Sequence, residues 1–134
     1  IDDPETVVIA NRYTTANAVH QLAKLPREEW DGFLSWLWDY EFGKLGIPAP
    51  DDVIYLEMLP EISLRLLKSR TDATGRAADI HEADRHFIEN SYKAAMYASD
   101  KLGWTRIVCY RDGEPLSRGG IHGMITDRLG FAGL

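Results

Sequence analysis

The sequence of 134 residues is short of several features, and each shortage excludes a class of protein. It has one cysteine, Cys109, so an internal disulfide is impossible and a reducing compartment is favoured. No apolar run approaches the roughly 20 residues that a membrane-spanning helix needs. Basic residues number 15 against 21 acidic ones, which argues against binding nucleic acid by bulk charge. We therefore expect a cytoplasmic globular protein with neither nucleic acid nor membrane as partner.

Two loops that carry chemistry in other enzymes are also missing. The chain has no Gly-x-Ser-x-Gly turn for a nucleophilic serine and no glycine-rich loop ending in Gly-Lys-Ser. Cys109 lies within an apolar run, where a thiol is usually inert. Any chemistry must therefore depend on other residues.

Short apolar runs alternate with helical patterns along the chain. Their lack of internal alternation favours strands covered on both faces, and strands separated by helices favour a parallel sheet. The sequence thus predicts one α/β domain over residues 1–134, a parallel sheet flanked by helices. The predicted strands are residues 7–10, 53–56 and 106–110, and the predicted helices are 29–45, 60–70, 80–102 and 117–129. Of the tryptophans, Trp30, Trp36 and Trp38 are assigned to the core or to a subunit interface.

The first candidate site follows the first predicted strand. Arg12 would leave that strand at its carboxyl end, where ligands of parallel sheets bind, and a guanidinium there can hold a phosphate. Asn17, His20 and Gln21 follow at helical spacing and suit contacts to a base or a sugar. The alternative is an arginine paired with a carboxylate beside a solvated polar helix face, and spacing alone favours this alternative.

A second candidate site lies between two predicted helices. Residues 70–78 contain Arg70 and Arg76 among small polar residues, so they predict either a cationic loop that closes over phosphates or a solvated surface loop. Asp79 and Glu82 have the spacing of a helix-capping box, which is the favoured role of Asp79. Glu82 can also hold a metal ion or its water.

Taken in order, these segments resemble thymidylate kinase, the nucleoside monophosphate kinase family that phosphorylates dTMP. The resemblance covers about residues 7–125. Residues 7–21 are similar to the family's strand, Asp-Arg-Tyr/His and Ser-x-x-Tyr-Gln-like segment, and residues 41–51 to its Gly-Leu-Pro-x-Pro-Asp approach to the next strand. Residues 53–70 match its strand, Pro-Glu and helix ending in arginine, and residues 70–82 lie where the family has its lid.

The resemblance implies a role for each residue of the first site. Arg12 would bind the phosphate of dTMP, with Asn11 beside it in the substrate site. Asn17 would contact thymine, Gln21 would lie close to the nucleoside, and His20 would stand near the deoxyribose, where the family usually has tyrosine.

The resemblance also implies the second substrate and the metal. Arg76, and with it Arg70, would be lid arginines that reach the phosphates being transferred from ATP, and Glu82 would lie near Mg²⁺. Catalysis would be positioning and charge neutralisation. A homodimer through helices is implied as well.

The sequence departs from the family at several positions. Asn11 lies where the family has an aspartate, and Ala16 where a serine is common. Glu57 replaces the family's aspartate after the second strand. The chain begins with Ile1 and lacks the phosphate loop, whose strand would lie between those at residues 7–10 and 53–56. We therefore expect a partial P-loop kinase fold that lacks its N-terminal βα elements and is inactive alone.

Two other functions stay open. The departures at Asn11 and Ala16 are compatible with a non-catalytic kinase-like module for nucleotide binding or dimerisation. His20 in place of tyrosine is compatible with a kinase for a related deoxynucleotide.

Overall fold

The computed structural model describes residues 6–73 and 82–130, with residues 71–73, 82 and 83 described by their backbone alone. A short 3₁₀ turn, Arg27–Glu29, and a π-helical turn, Asp39–Lys44, precede and follow the second helix. The described helices are α1 (Thr15–Leu22), α2 (Trp30–Trp38), α3 (Pro60–Ala73), α4 (Glu82–Leu102) and α5 (Arg118–Leu129). The described strands are β1 (Ile54–Glu57), β2 (Thr105–Val108), β3 (Tyr110–Arg111) and β4 (Glu114–Pro115).

The predicted helix over residues 29–45 is confirmed, with a change of type along its length. The α-helix gives way to the π-helical turn, in which the Leu45 N–H donates to the Tyr40 carbonyl at 2.9 Å, five residues back. Gly46 ends the helix with a φ of 65°, a conformation that glycine adopts without steric cost. The wider turn accommodates one extra residue, and such turns often occur at functional sites.

The other predicted helices are also confirmed within the described residues. Pro60 opens α3, where its missing N–H is not needed. The Ser117 hydroxyl caps α5 by accepting a hydrogen bond from the Gly120 N–H at 3.1 Å. None of the helices in the described part of the chain is both long and apolar enough to cross a membrane.

The sheet prediction is confirmed for its second and third strands, except that the third ends at Val108 and Tyr110 belongs to β3. β1 and β2 pair in parallel, with Ile54 opposite Thr105 and Glu57 opposite Val108. The architecture is therefore α/β, a small parallel sheet with flanking helices. A second feature was not predicted, since β3 and β4 form an antiparallel hairpin around Asp112 and Gly113. Their φ values of 51° and 76° are those that an Asp-Gly turn favours.

The first predicted strand is wrong. Residues 7–10 belong to no strand, and Val7, Val8 and Ile9 are 58%, 69% and 74% exposed. A β-branched run has the propensity for a strand but becomes one only when a neighbour pairs with its backbone. Among the described residues, β1 pairs with β2 and no residue pairs with this run.

The expectation that the strands are covered on both faces is also wrong. Leu56 on β1 and Val108 on β2 are 45% and 44% exposed, whereas Glu57 and Ile107 next to them are buried. Residues paired across parallel strands lie on the same face, so Leu56 and Ile107 share one face of the sheet and Glu57 and Val108 share the other. Within residues 6–73 and 82–130 each face is therefore only partly covered.

The main hydrophobic cluster lies between the helices, while Ile107 of β2 and Cys109 directly after it are buried at the sheet. α1 packs against α4 and α2 through Leu22, Trp30 and Leu34, and the small side chains of Ala94 and Ala98 allow α4 to come close. The assignment of Trp30 to the core is confirmed. Trp36 and Trp38 are exposed, so a place at a subunit interface stays a prediction for them.

Candidate functional site

A polar group is buried at the carboxyl end of the parallel strands, the edge where ligands of such sheets bind. Glu57, the last residue of β1, is buried and accepts a hydrogen bond from the Tyr92 hydroxyl of α4 at 3.0 Å. Its backbone carbonyl accepts from the Cys109 N–H at 2.9 Å. Glu57 therefore ties β1 to both α4 and the end of β2.

Burial and the nearby Glu57 raise the pKa of three side chains, those of Tyr92, Tyr55 and Cys109. Burial, followed by the hydrogen bond to Glu57, raises the pKa of Tyr92 to about 12. Burial and the Glu57 charge also raise the pKa of Tyr55 and of the Cys109 thiol. Cys109 is thus a buried neutral thiol, in agreement with the expectation that it is inert.

Arg12 lies in a bend of the backbone shortly before α1. Its side chain is exposed, and no described residue forms an ion pair with it. Its φ of 70° is left-handed, which costs a residue with a Cβ about 1–2 kcal/mol. Asn11 is also exposed. The next residue is fixed, since the Tyr13 hydroxyl donates to the Pro48 carbonyl at 2.9 Å.

The helical spacing of Asn17, His20 and Gln21 is confirmed, because α1 contains all three. Asn17 and Gln21 are exposed and His20 is half-buried. The Asn17 Nδ2 donates to the Glu41 Oε1 at 3.4 Å. These amide side chains therefore share one face of the helix that follows Arg12.

Glu41 is a residue of the site that sequence reasoning missed. It is 9% exposed and lies in the π-helical turn, 24 residues after its partner Asn17. A lone glutamate in an amphipathic helix indicates a solvated position. The one signal that could have found it is its place among the aromatic residues around it, Trp38, Tyr40 and Phe42.

The second predicted site lies largely outside the described residues. Arg70 is exposed near the end of α3. Arg76 and Asp79 fall in residues 74–81, which the structure does not describe, and Glu82 opens α4 with its backbone alone described. The lid, the capping box and the contacts of these residues stay predictions.

The residues described do not by themselves make a magnesium site. No three histidine, cysteine or acidic side chains in the described ranges lie close enough together to hold a metal ion. Mg²⁺ in kinases needs one or two carboxylates besides the substrate phosphates. Asn11 is a neutral amide, and Glu57 is already bonded to Tyr92, so we assign no step of the reaction to the metal.

Comparison with known proteins gives one relationship. Two curated relatives, the thymidylate kinases of Mycobacterium tuberculosis strains CDC 1551 / Oshkosh and ATCC 25618 / H37Rv, are each 31% identical to the chain over 100 residues. The match covers 73% of this chain and 46% of each relative, so the chain spans about half the length of the curated relatives it matches. No family model and no solved structure matches. The chain is thus distantly similar to thymidylate kinase.

Proposed function

We propose that this chain supplies the nucleoside monophosphate-binding and lid portion of a nucleotide kinase that transfers phosphate from ATP to dTMP in the presence of Mg²⁺. One observation carries the proposal: Arg12 is an exposed guanidinium with no ion-pair partner among the described residues, directly before a helix that presents two exposed amides. An arginine that only neutralised a neighbouring acid would be paired. The distant similarity to thymidylate kinase supports the same function.

The chemistry is an in-line displacement. A phosphate oxygen of dTMP attacks the γ-phosphorus of ATP, the bond from that phosphorus to the bridging oxygen breaks, and ADP leaves with the electron pair. Arg12 holds the acceptor phosphate through two parallel hydrogen bonds and offsets its charge, which otherwise repels the attacked phosphate. Arg70 and Arg76 neutralise the charge that spreads over the transferred group.

The residues of α1 determine where the base and the sugar lie. Asn17 and Gln21 are four residues apart on the exposed face, so both amides can contact one nucleoside. His20, one turn from Asn17, stands near the sugar. Glu57 and Tyr92 act differently, since their mutual hydrogen bond holds α4 on the sheet and so fixes the edge that the substrate meets.

Calorimetric titration of the chain with dTMP and with thymidine tests the proposal. The phosphate is the difference between the two ligands, and hydrogen bonds to charged groups contribute about 1.5–3 kcal/mol. We expect dTMP to bind at least about tenfold more tightly than thymidine, and Arg12→Ala to remove this advantage. Arg111→Ala, an equal change of charge on the β3–β4 hairpin, is the matched control and should keep it.

The opposite results would count against the proposal. Equal affinity for dTMP and thymidine, or an advantage that survives Arg12→Ala, contradicts a phosphate site at Arg12. A separate assay tests the claim that this chain supplies only part of the kinase. Phosphorylation of dTMP by this chain alone at ordinary kinase rates of about 1–100 s⁻¹ would contradict that claim.

A second candidate function is a non-catalytic module that binds a partner or a second copy of the chain. The observation in its favour is the exposure of three aromatic residues of one helical segment, Trp36, Trp38 and Tyr40, which are 52%, 45% and 40% exposed. The Trp36 and Tyr40 rings stack with their centroids 5.3 Å apart, so the two rings form one continuous aromatic patch. Sedimentation of the Trp36→Ser, Tyr40→Ser double variant against the wild type tests it, since loss of a dimer supports an interface.

A further inference from the structure

We propose that Glu41 fixes the orientation of the Asn17 side-chain amide and thereby makes the site select nucleobases with a ring N–H donor, thymine and uracil, over cytosine. This inference rests on the proposed function, because it assumes that Asn17 meets the base. It adds a positioning residue that does not itself touch the substrate.

The hydrogen bond between the two side chains determines which end of the amide faces outward. A carboxylate accepts hydrogen bonds and has no proton to donate. Only the nitrogen of Asn17 can therefore face Glu41, as it does at 3.4 Å between Nδ2 and Oε1. The carbonyl Oδ1 is then held on the other side of the amide, and no described residue donates a hydrogen bond to it.

The surroundings of Glu41 make this orientation persistent. Glu41 is 9% exposed, and the crevice that it lines is otherwise mostly apolar, formed in part by Leu34, Leu37, Phe42 and Trp104. Attraction between a charge and a hydrogen-bond donor is stronger where water is scarce. A glutamine in the same place would accept or donate equally well, so it would allow both orientations of Asn17.

The crevice is also too small for a ligand. Its volume is about 10 Å³, no more than a single water molecule needs. A nucleotide cannot reach Glu41 through this crevice. Glu41 acts on the base through Asn17, whose own side chain is exposed.

The fixed amide distinguishes the pyrimidines by their ring nitrogen. Thymine and uracil carry a hydrogen on N3, which Asn17 Oδ1 can accept. Cytosine has a lone pair on N3, so its approach sets two acceptors against each other. A site that is built to pair with a donor rejects a ligand that lacks it, because a polar group is then left without a partner.

Calorimetric titration of dTMP and dCMP into the wild type and the Glu41→Gln variant tests the inference. We expect the wild type to prefer dTMP at least about tenfold. In Glu41→Gln the preference should shrink to less than about threefold, with weaker dTMP binding and stronger dCMP binding. Asn17→Ala is the control, because it should also remove the preference but without any gain for dCMP. Thermal unfolding of each variant shows that it is folded.

Each alternative outcome is decisive. A proportional loss of both affinities in Glu41→Gln means a merely structural role and overturns the inference alone, as does an unchanged preference. A wild type that binds neither nucleotide overturns the proposed function as well. Should Glu41→Gln lose its fold, the wild type decides with dTMP methylated on N3: binding as weak as that of dCMP supports the inference, and binding equal to that of dTMP refutes it.

Discussion

The helical core and the edge of the parallel sheet differ in how much of their apolar surface is buried by the described residues. In the core, α1, α2 and α4 surround Leu22, which is fully buried, and the alanines of α4 lie beneath it at zero exposure. At the sheet, Leu56 and Val108 are nearly half exposed, and the apolar run of residues 7–10 lies in solvent. The described residues bury the apolar side chains of the helical core, whereas they leave apolar surface of the sheet exposed.

This difference shows that the stability of the helical core comes from packing among the described residues. Stability should respond strongly to changes in the helical core and weakly to changes at the exposed apolar residues of the sheet. The candidate site on α1 adjoins the helical core, because the inner face of that helix lies in the core. Its position is therefore maintained by the well-packed half.

The largest expected effect is that of Leu22→Ala. Removing a fully buried leucine leaves a cavity and should lower the free energy of unfolding by about 2–5 kcal/mol. Leu56→Ala, the same chemical change at a side chain that is 45% exposed, should lower it by less than about 1 kcal/mol. Urea unfolding followed by circular dichroism measures both, and equal losses would refute the contrast between the two regions.

Adding volume should sharpen the same contrast. Ala98 has zero exposure where α4 approaches α1, so Ala98→Leu should cost about 1–3 kcal/mol of stability through overpacking. Ala49→Leu adds the same atoms at an exposed position and should be nearly neutral. Thermal unfolding compares the two variants, and a tolerated leucine at position 98 would mean that the core is loosely packed.

The link between the two regions should depend on pH through Tyr92. Its pKa is raised to about 12 from an ordinary 10, so its contribution to stability is complete below pH 10 and disappears between pH 10 and 12. The free energy of unfolding of the wild type should therefore fall more steeply over this range than that of Tyr92→Phe. Tyr40→Phe, at an exposed ring, is the control, and parallel curves for the wild type and Tyr92→Phe would contradict the assignment.

The smallest expected effect is that of the ion pair between α3 and the hairpin. Arg65 Nη2 and Glu114 Oε2 are 2.9 Å apart, but both side chains are more than half exposed. Water and salt screen such a pair, so Glu114→Gln should change the stability by less than about 0.5 kcal/mol. Chemical denaturation at low and high salt measures this change in the free energy of unfolding. A loss above about 1 kcal/mol would show that the ion pair stabilises the protein more than an exposed pair should.

The sequence predicted the helices better than the strands for a physical reason. Helices make their hydrogen bonds locally, so periodicity, Pro60 and Gly46 were sufficient to locate them. A strand needs a partner that the local sequence does not reveal, and residues 7–10 have none among the described residues. The Asp112-Gly113 turn is a local signal for a hairpin, because both residues favour the positive φ that a tight turn needs.

The candidate site was predictable to a similar degree. The face of α1 that carries Asn17, His20 and Gln21 follows from helical spacing and was confirmed as a helix face. The contact between Asn17 and Glu41 depends on a fold-specific approach of two helical segments and on a π-helical turn, which no spacing rule anticipates. The role of Arg12 as a phosphate ligand stays a prediction, and its exposure agrees with that role.

The most direct test of the central claim, that a nucleoside monophosphate binds beside α1, is the change in backbone amide NMR shifts on titration with dTMP. We predict saturable changes concentrated at residues 11–21 and at the carboxyl end of β1, with residues 110–115 of the hairpin unchanged. Changes confined to the exposed aromatic residues at positions 36–40, or no saturable change at all, would contradict it.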